Sequence, residues 1–119
     1  MMPVYKKPQI EVFIAHADNA EQIKKALAEG MEEEGVPYHF CAQNEPLNAV
    51  DLARLAAQES PLQVGVGVDK QGSIAIHHQK LPDDRPLFLV HLPYPNTQMR
   101  KLGNHAARLV KGLPFDLTE

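Results

Sequence analysis

A single cysteine, Cys41, stands among the 119 residues, so the chain can form neither an internal disulfide nor a multi-cysteine metal site. Long apolar runs are missing too. Nothing approaches the roughly 20 residues needed to cross a bilayer, and Met1 to Lys7 lacks the charged-then-apolar order of a secretory signal. Positive charge is not in surplus either: Lys+Arg 12 against Asp+Glu 15 gives a formal net charge of -3, which offers no electrostatic reason for a nucleic-acid partner. The sequence has no internal repeat, no low-complexity segment, no Walker-type phosphate loop and no Gly-x-Ser-x-Gly elbow. What remains is ordinary globular composition, 44% hydrophobic and 23% charged, enough for one core. The expectation is a cytoplasmic protein with one domain over 1–119, of which 1–8 is an irregular lead-in.

Along the chain, Ile10, Val12 and Ile14 alternate with Glu11, Phe13 and Ala15, which is strand periodicity. Asp18 or Asn19 can cap a helix whose apolar face carries Ile23, Leu27, Gly30 and Met31, with Gly35 as its natural stop and Pro37 beyond. Tyr38 to Ala42 suits a second strand. A second helix starts near Asn48, a capping residue, with Asp51 in its first turn, and ends before Pro61. Val64–Asp69 and Ser73–His78 form a hairpin around Gly72. Leu87–Leu92 is nearly continuous in apolar character, as in a strand covered on both faces. The last helix runs from about Asn96 to Lys111 and stops at Gly112, with Leu113 and Pro114 following. The order β-α-β-α-β-β-β-α implies an α/β fold with a mixed, mainly parallel sheet and helices on both faces.

Several residue groups invite chemistry. The histidines His16, His39, His77, His78, His91 and His105 have no recurring ligand spacing, and adjacent His77 and His78 point to opposite faces of a strand, so ordinary core or surface roles fit them better than a metal site. Cys41 lies in a strand without a nucleophile context and reads as a small buried hydrophobe. Gly65 and Gly67 alternate with Val64, Val66 and Val68, so they share one strand face where a helix or another backbone can approach closely. Glu32, Glu33 and Glu34 crowd the last turn of the first helix, where the helix dipole is already negative. Two readings stay open there: a solvated charge run, or a site that meets a cation or a basic partner. Gly103, inside the last helix and followed by Asn104 and His105, points either to close packing or to a contact surface.

The run Gly103-Asn104-His105-Ala106-Ala107-Arg108-Leu109-Val110-Lys111-Gly112-Leu113-Pro114-Phe115 resembles the C-terminal signature of the small subunits of diol and glycerol dehydratase reactivating factors. Glu32-Glu33-Glu34-Gly35-Val36-Pro37, the stretch Ser60 to Asp69, and His77 to Phe88 with Lys80-Leu81-Pro82 and Pro86-Leu87-Phe88 match further family segments in the same order. The likeness spans about Gln9 to Asp116. His105 departs from it, standing where a second asparagine is expected.

The resemblance implies a three-layer α/β/α domain with a mixed five-stranded sheet over 9–116. It implies no catalysis by this chain and no cofactor bound by it alone. Its partner would be a large subunit with an ATPase domain of the actin and heat-shock chaperone type, which carries ATP or ADP, in an assembly of two large and two small subunits. That assembly would release damaged cobalamin from inactivated adenosylcobalamin-dependent dehydratase by subunit exchange, with transient contact to the dehydratase large subunit. By the same resemblance Glu33 would help ligate Mg2+ at the contact with the large subunit, with Glu32 and Glu34 as solvated neighbours. No nucleic acid and no membrane enters this reading, and a bacterial microcompartment is a second location open to it. The alternatives are a diverged noncatalytic medium subunit of the dehydratase itself, and a stand-alone enzyme using Cys41 or the histidines.

Overall fold

The computed structural model describes residues 7–15, 19–91 and 93–112. His16, Asp18, Leu92 and everything from Leu113 onward therefore lie outside the described residues. The elements are β1 (Ile10–Ala15), α1 (Ala20–Glu33), β2 (Tyr38–Gln43), α2 (Ala49–Glu59), β3 (Val64–Val68), β4 (Ile74–His78), β5 (Phe88–Val90) and α3 (Asn96–Lys111), in the order the sequence predicts.

The strands form one sheet in the order β2-β1-β3-β4-β5. β1 pairs in parallel with β2 and β3, whereas β4 pairs antiparallel with β3 and β5. The sheet is mixed and mainly parallel in strand direction, as expected: β1, β2, β3 and β5 run the same way and β4 alone is reversed. The short links from β3 through β4 to β5 leave no room for the helical crossovers that parallel neighbours need.

β3 lies in the middle of the sheet and all five of its residues are buried. Its two faces meet different layers. Val64, Val66 and Val68 join Ile10, Val12, Ile14, Ile74 and Ile76 against Ile23, Leu27 and Met31 of α1 and Met99, Leu102 and Ala106 of α3. Each of the Val, Ile, Leu and Met side chains among them contributes about 1.5–3 kcal/mol on burial. Gly65 and Gly67 face the other way, toward α2. A Cβ on Gly65 would fall 2.1 Å from the Ala57 nitrogen, and one on Gly67 would fall 2.3 Å from the Ala53 nitrogen. The Gly-x-Gly is thus a bed for a helix backbone, and Ala49, Ala53, Ala56 and Ala57 make α2 slim enough to lie in it.

Two local expectations change. β5 is only three residues long and is an edge strand, with Leu89 42% exposed, so it is not covered on both faces as its apolar run suggested. Phe88 and Val90 pair with the core residues Ile76 and Ile74, but α2 covers the other face only as far as Ala75, and Leu89 lies past it. Pro86 and Pro93, which lack N–H donors, bracket the strand and keep it short. At α1, Asn19 occupies the N-cap position without a side-chain hydrogen bond. Asn48 does cap α2, its Oδ1 accepting from the Asp51 nitrogen at 2.8 Å. No described helix is long and apolar enough to cross a membrane.

Candidate functional site

α1 and α3 lie side by side and run the same way. Gln22 donates to Asn96 at 2.7 Å near their starts, and Lys111 reaches Glu34 at 3.0 Å at their ends. Between these points Gly30 and Gly103 meet: a Cβ on Gly103 would stand 2.3 Å from the Leu27 carbonyl oxygen, and one on Gly30 would stand 2.0 Å from that of Arg100. The close-packing reading of Gly103 therefore holds. Parallel neighbours bring their two negative C-terminal ends together, which makes three glutamates there still less comfortable.

The side chains of α3 answer this. Glu34 is the most enclosed of the three and is clasped by Arg108 Nε at 3.3 Å and Lys111 Nζ at 3.0 Å, while Lys111 also donates to the Glu34 carbonyl at 2.8 Å. The Lys111 hydrogen bond, helped by the Arg108 charge and opposed by partial burial, holds the Glu34 carboxyl below its usual range. Glu32 turns the other way and accepts a hydrogen bond from the Tyr38 hydroxyl at the start of β2. The phenol donates to a carboxylate, so its own ionisation is pushed upward.

Glu33 is different. Its Oε1 accepts from Asn104 Nδ2 at 3.1 Å, and the nearest charge, Arg100 Nε, is 3.8 Å away with both side chains half exposed. Glu32 and Glu33 are both held by neutral donors, but only Glu33 is held from α3, with Arg100 beyond hydrogen-bond distance. Glu34, expected to be a solvated neighbour, is instead an internal ion pair, because α3 delivers two cations to its side of the helix end.

The residue that matters here and was missed in the sequence is Arg100, while Asn104 was noted only as a poor helix former beside Gly103. Arg100, Asn104, Arg108 and Lys111 recur at helical spacing, so a polar stripe on α3 was legible. That the stripe faces the acidic end of α1 was not.

The remaining candidates are not brought together. His39 Nδ1 lies 2.8 Å from Glu11 Oε1, an otherwise buried carboxylate also reached by Gln9 at 3.2 Å. His91 meets the Ser73 hydroxyl at 2.7 Å, and His105 is buried, stacked on Phe88 with ring centres 4.6 Å apart. His105 thus serves the core rather than the surface on which Asn104 stands. The His77 ring sits between the carbonyls of His78, at 2.9 Å, and Asp83, at 3.2 Å, and ties β4 to the loop after it. His78 accepts from the Lys80 nitrogen at 3.1 Å; burial, then the neighbouring Lys80 and His77, lowers its affinity for a proton. Cys41 is half-buried on the edge strand β2 rather than fully buried, because no second strand covers that edge, and Gln43 Nε2 lies 3.3 Å from its sulfur. Among the described residues no three His, Cys, Asp or Glu side chains are grouped to hold a metal ion. The grooves are shallow. That between the starts of α1 and α3, about 260 Å³, is lined by Gln22, Lys25, Glu29, Asn96 and Arg100.

The chain is similar to known proteins over nearly its whole length. A model of the dehydratase medium subunit family matches residues 7–116. The probable glycerol dehydratase-reactivating factor small subunit of Citrobacter freundii is 37% identical over 108 residues, covering 91% of this chain and 92% of that protein. The solved structure of a glycerol dehydratase reactivase superposes with a TM-score of 0.88 at 37% identity, covering 92% of this chain and 97% of that one. That of a diol dehydratase-reactivating factor complexed with ADP and Mg2+ superposes at 0.83 with 34% identity, covering 93% and 99%. This chain belongs to the dehydratase medium subunit family, in the group formed by the small subunits of diol and glycerol dehydratase-reactivating factors.

Proposed function

We propose that this chain is the noncatalytic small subunit of a factor that reactivates a diol or glycerol dehydratase, docked on its large subunit through the acidic end of α1. Glu33 contributes a carboxylate oxygen to a magnesium ion shared with that large subunit. The observation that carries the reading is the unequal treatment of three adjacent carboxylates: Glu34 is neutralised by Arg108 and Lys111, Glu32 is turned to Tyr38, and Glu33 remains half exposed and held by an amide.

A hard cation takes oxygen ligands, and Glu33 fits as one ligand of a site whose others come from the partner. Among the described residues no three acidic, histidine or cysteine side chains are grouped around it, so in this reading the other ligands come from the partner. The bound ion would supply positive charge between two surfaces. Nucleotide belongs to the large subunit in this reading: the one Gly-x-Gly of this chain is sealed under α2 and cannot cradle a phosphate.

The working assembly is two large and two small subunits, in the cytoplasm or in a microcompartment. ATP or ADP on the large subunit biases whether the small subunit stays there or moves to the dehydratase large subunit, through its different affinities in the two states. Occupying the dehydratase in place of its own subunit lets damaged cobalamin leave.

The test combines the purified chain with its large subunit, inactivated holoenzyme, ATP, Mg2+ and fresh coenzyme. Activity should return only when the chain is present, and Glu33→Gln should weaken its binding to the large subunit in Mg2+ but not in chelator. Recovery without the chain would sink the proposal. A stable complex with the dehydratase large subunit and no ATPase would favour the diverged medium subunit instead.

A further inference from the structure

We infer that Asn104 is a positioning residue for Glu33, fixing its carboxylate toward the partner surface; this rests on the docking site proposed above. Asn104 Nδ2 lies 2.8 Å from the Gly30 carbonyl oxygen and 3.1 Å from Glu33 Oε1, so one amide group spans the backbone and the side chain of the same helix end. Gly30 and Gly103 make this reach possible, since any Cβ at either position would force α3 away from α1. The Gly30 carbonyl belongs to the closing stretch of α1, where the Glu34 N–H already donates to Met31, so a side-chain donor from outside the helix is useful there.

The chemistry of the clamp suits a ligand better than an ion pair would. An amide N–H holds a carboxylate oxygen without cancelling its charge, whereas a guanidinium would compete with any cation for it. Arg100, at 3.8 Å from the same oxygen, is that competitor held at arm's length. Asparagine is a poor helix former in a helix interior, and its reach to α1 explains its place in α3. A free glutamate must surrender its rotamers to a partner on docking; one already clamped gives up fewer.

The experiment measures binding of the full-length chain to its large subunit across a Mg2+ titration, for wild type, Asn104→Ala, Glu33→Gln and the double variant, with thermal midpoints recorded for each. Asn104→Ala should weaken Mg2+-dependent binding about three- to tenfold, the scale of one side chain's ordering, and move the Mg2+ midpoint upward. In the Glu33→Gln background the same change should add nothing. Arg100→Gln should shift the Mg2+ midpoint downward. An unchanged midpoint in Asn104→Ala, or an equal loss in both backgrounds, would overturn the inference while leaving Glu33 as an anchor. No effect of Glu33→Gln at all would remove the anchor, and the inference with it.

Discussion

Gly65 and Gly67 press the sheet against α2, and Gly30 and Gly103 press α1 against α3, yet the two contacts leave different things at their edges. Around the first pair lie Ala49, Ala53, Ala56 and Ala57 of α2, all buried, while the buried Glu11 and His77 flank Gly65 within the sheet with their polar atoms engaged inside the chain. That layer is sealed and has only a packing task. Around the second pair the chain places Glu33, Glu34, Arg100, Asn104, Arg108 and Lys111, partly exposed and mutually engaged. The same device, backbone brought to backbone through missing Cβ atoms, builds a wall in one place and a polar edge in the other. The lesson is that glycine alone does not mark a functional surface; what stands beside it does.

Substitutions that give these glycines a side chain probe the contrast most severely. Gly65→Ala puts a methyl group 2.1 Å from the Ala57 nitrogen and 2.4 Å from the Ala53 carbonyl oxygen, both backbone atoms that cannot step aside. The expected loss is about 3 kcal/mol, at the upper end for overpacking, read as a lower urea midpoint. Whatever fraction stays folded should bind the large subunit with unchanged affinity. Gly103→Ala is milder in stability, because alanine returns about 1 kcal/mol of helix propensity against the clash with the Leu27 carbonyl. A net loss of about 1–2 kcal/mol is expected. Here, however, binding should fall as well, since α3 must move away from α1 and carry Asn104 with it. If both variants lose binding alike, the distinction between wall and edge is wrong.

Most of the wall was legible from the residues alone. Alternation in Ile10–Ala15 gave β1, and Gly65 and Gly67 on one strand face predicted a close-lying backbone. Asn48 announced the start of α2. The strand order and the exposed edge at Leu89 were not legible, because they depend on which elements meet in space rather than on local periodicity. The polar edge was half legible. The misplaced charge of Glu32 to Glu34 stood out, but which carboxylate was neutralised depended on α3, roughly seventy residues away, and on the side of α1 it would face. Periodicity carries no such information.

Two smaller effects sharpen the comparison. Asn48→Ala removes the cap that accepts from the Asp51 nitrogen and should cost about 1 kcal/mol in urea unfolding, without touching partner binding. The smallest effect comes from acid. Glu34 ionises more readily in the folded chain than the ordinary carboxyl value of 4.5, chiefly through the Lys111 hydrogen bond and in spite of partial burial. A lowered folded-state value means that the unfolded chain takes up this proton first as pH falls, so the pair contributes in full above about pH 4.5 and is lost as pH drops through the lowered value. Both cations are about one-third exposed and screened by water, which limits the contribution to roughly 0.5–1 kcal/mol. Wild type should therefore exceed Glu34→Gln in stability by that amount at neutral pH, and the difference should shrink toward zero in acid. A gap that persists unchanged at low pH would mean that Glu34 holds the helix end by shape and not by charge. The contrast between Glu34 as an internal tie and Glu33 as the outward carboxylate would then need another physical basis.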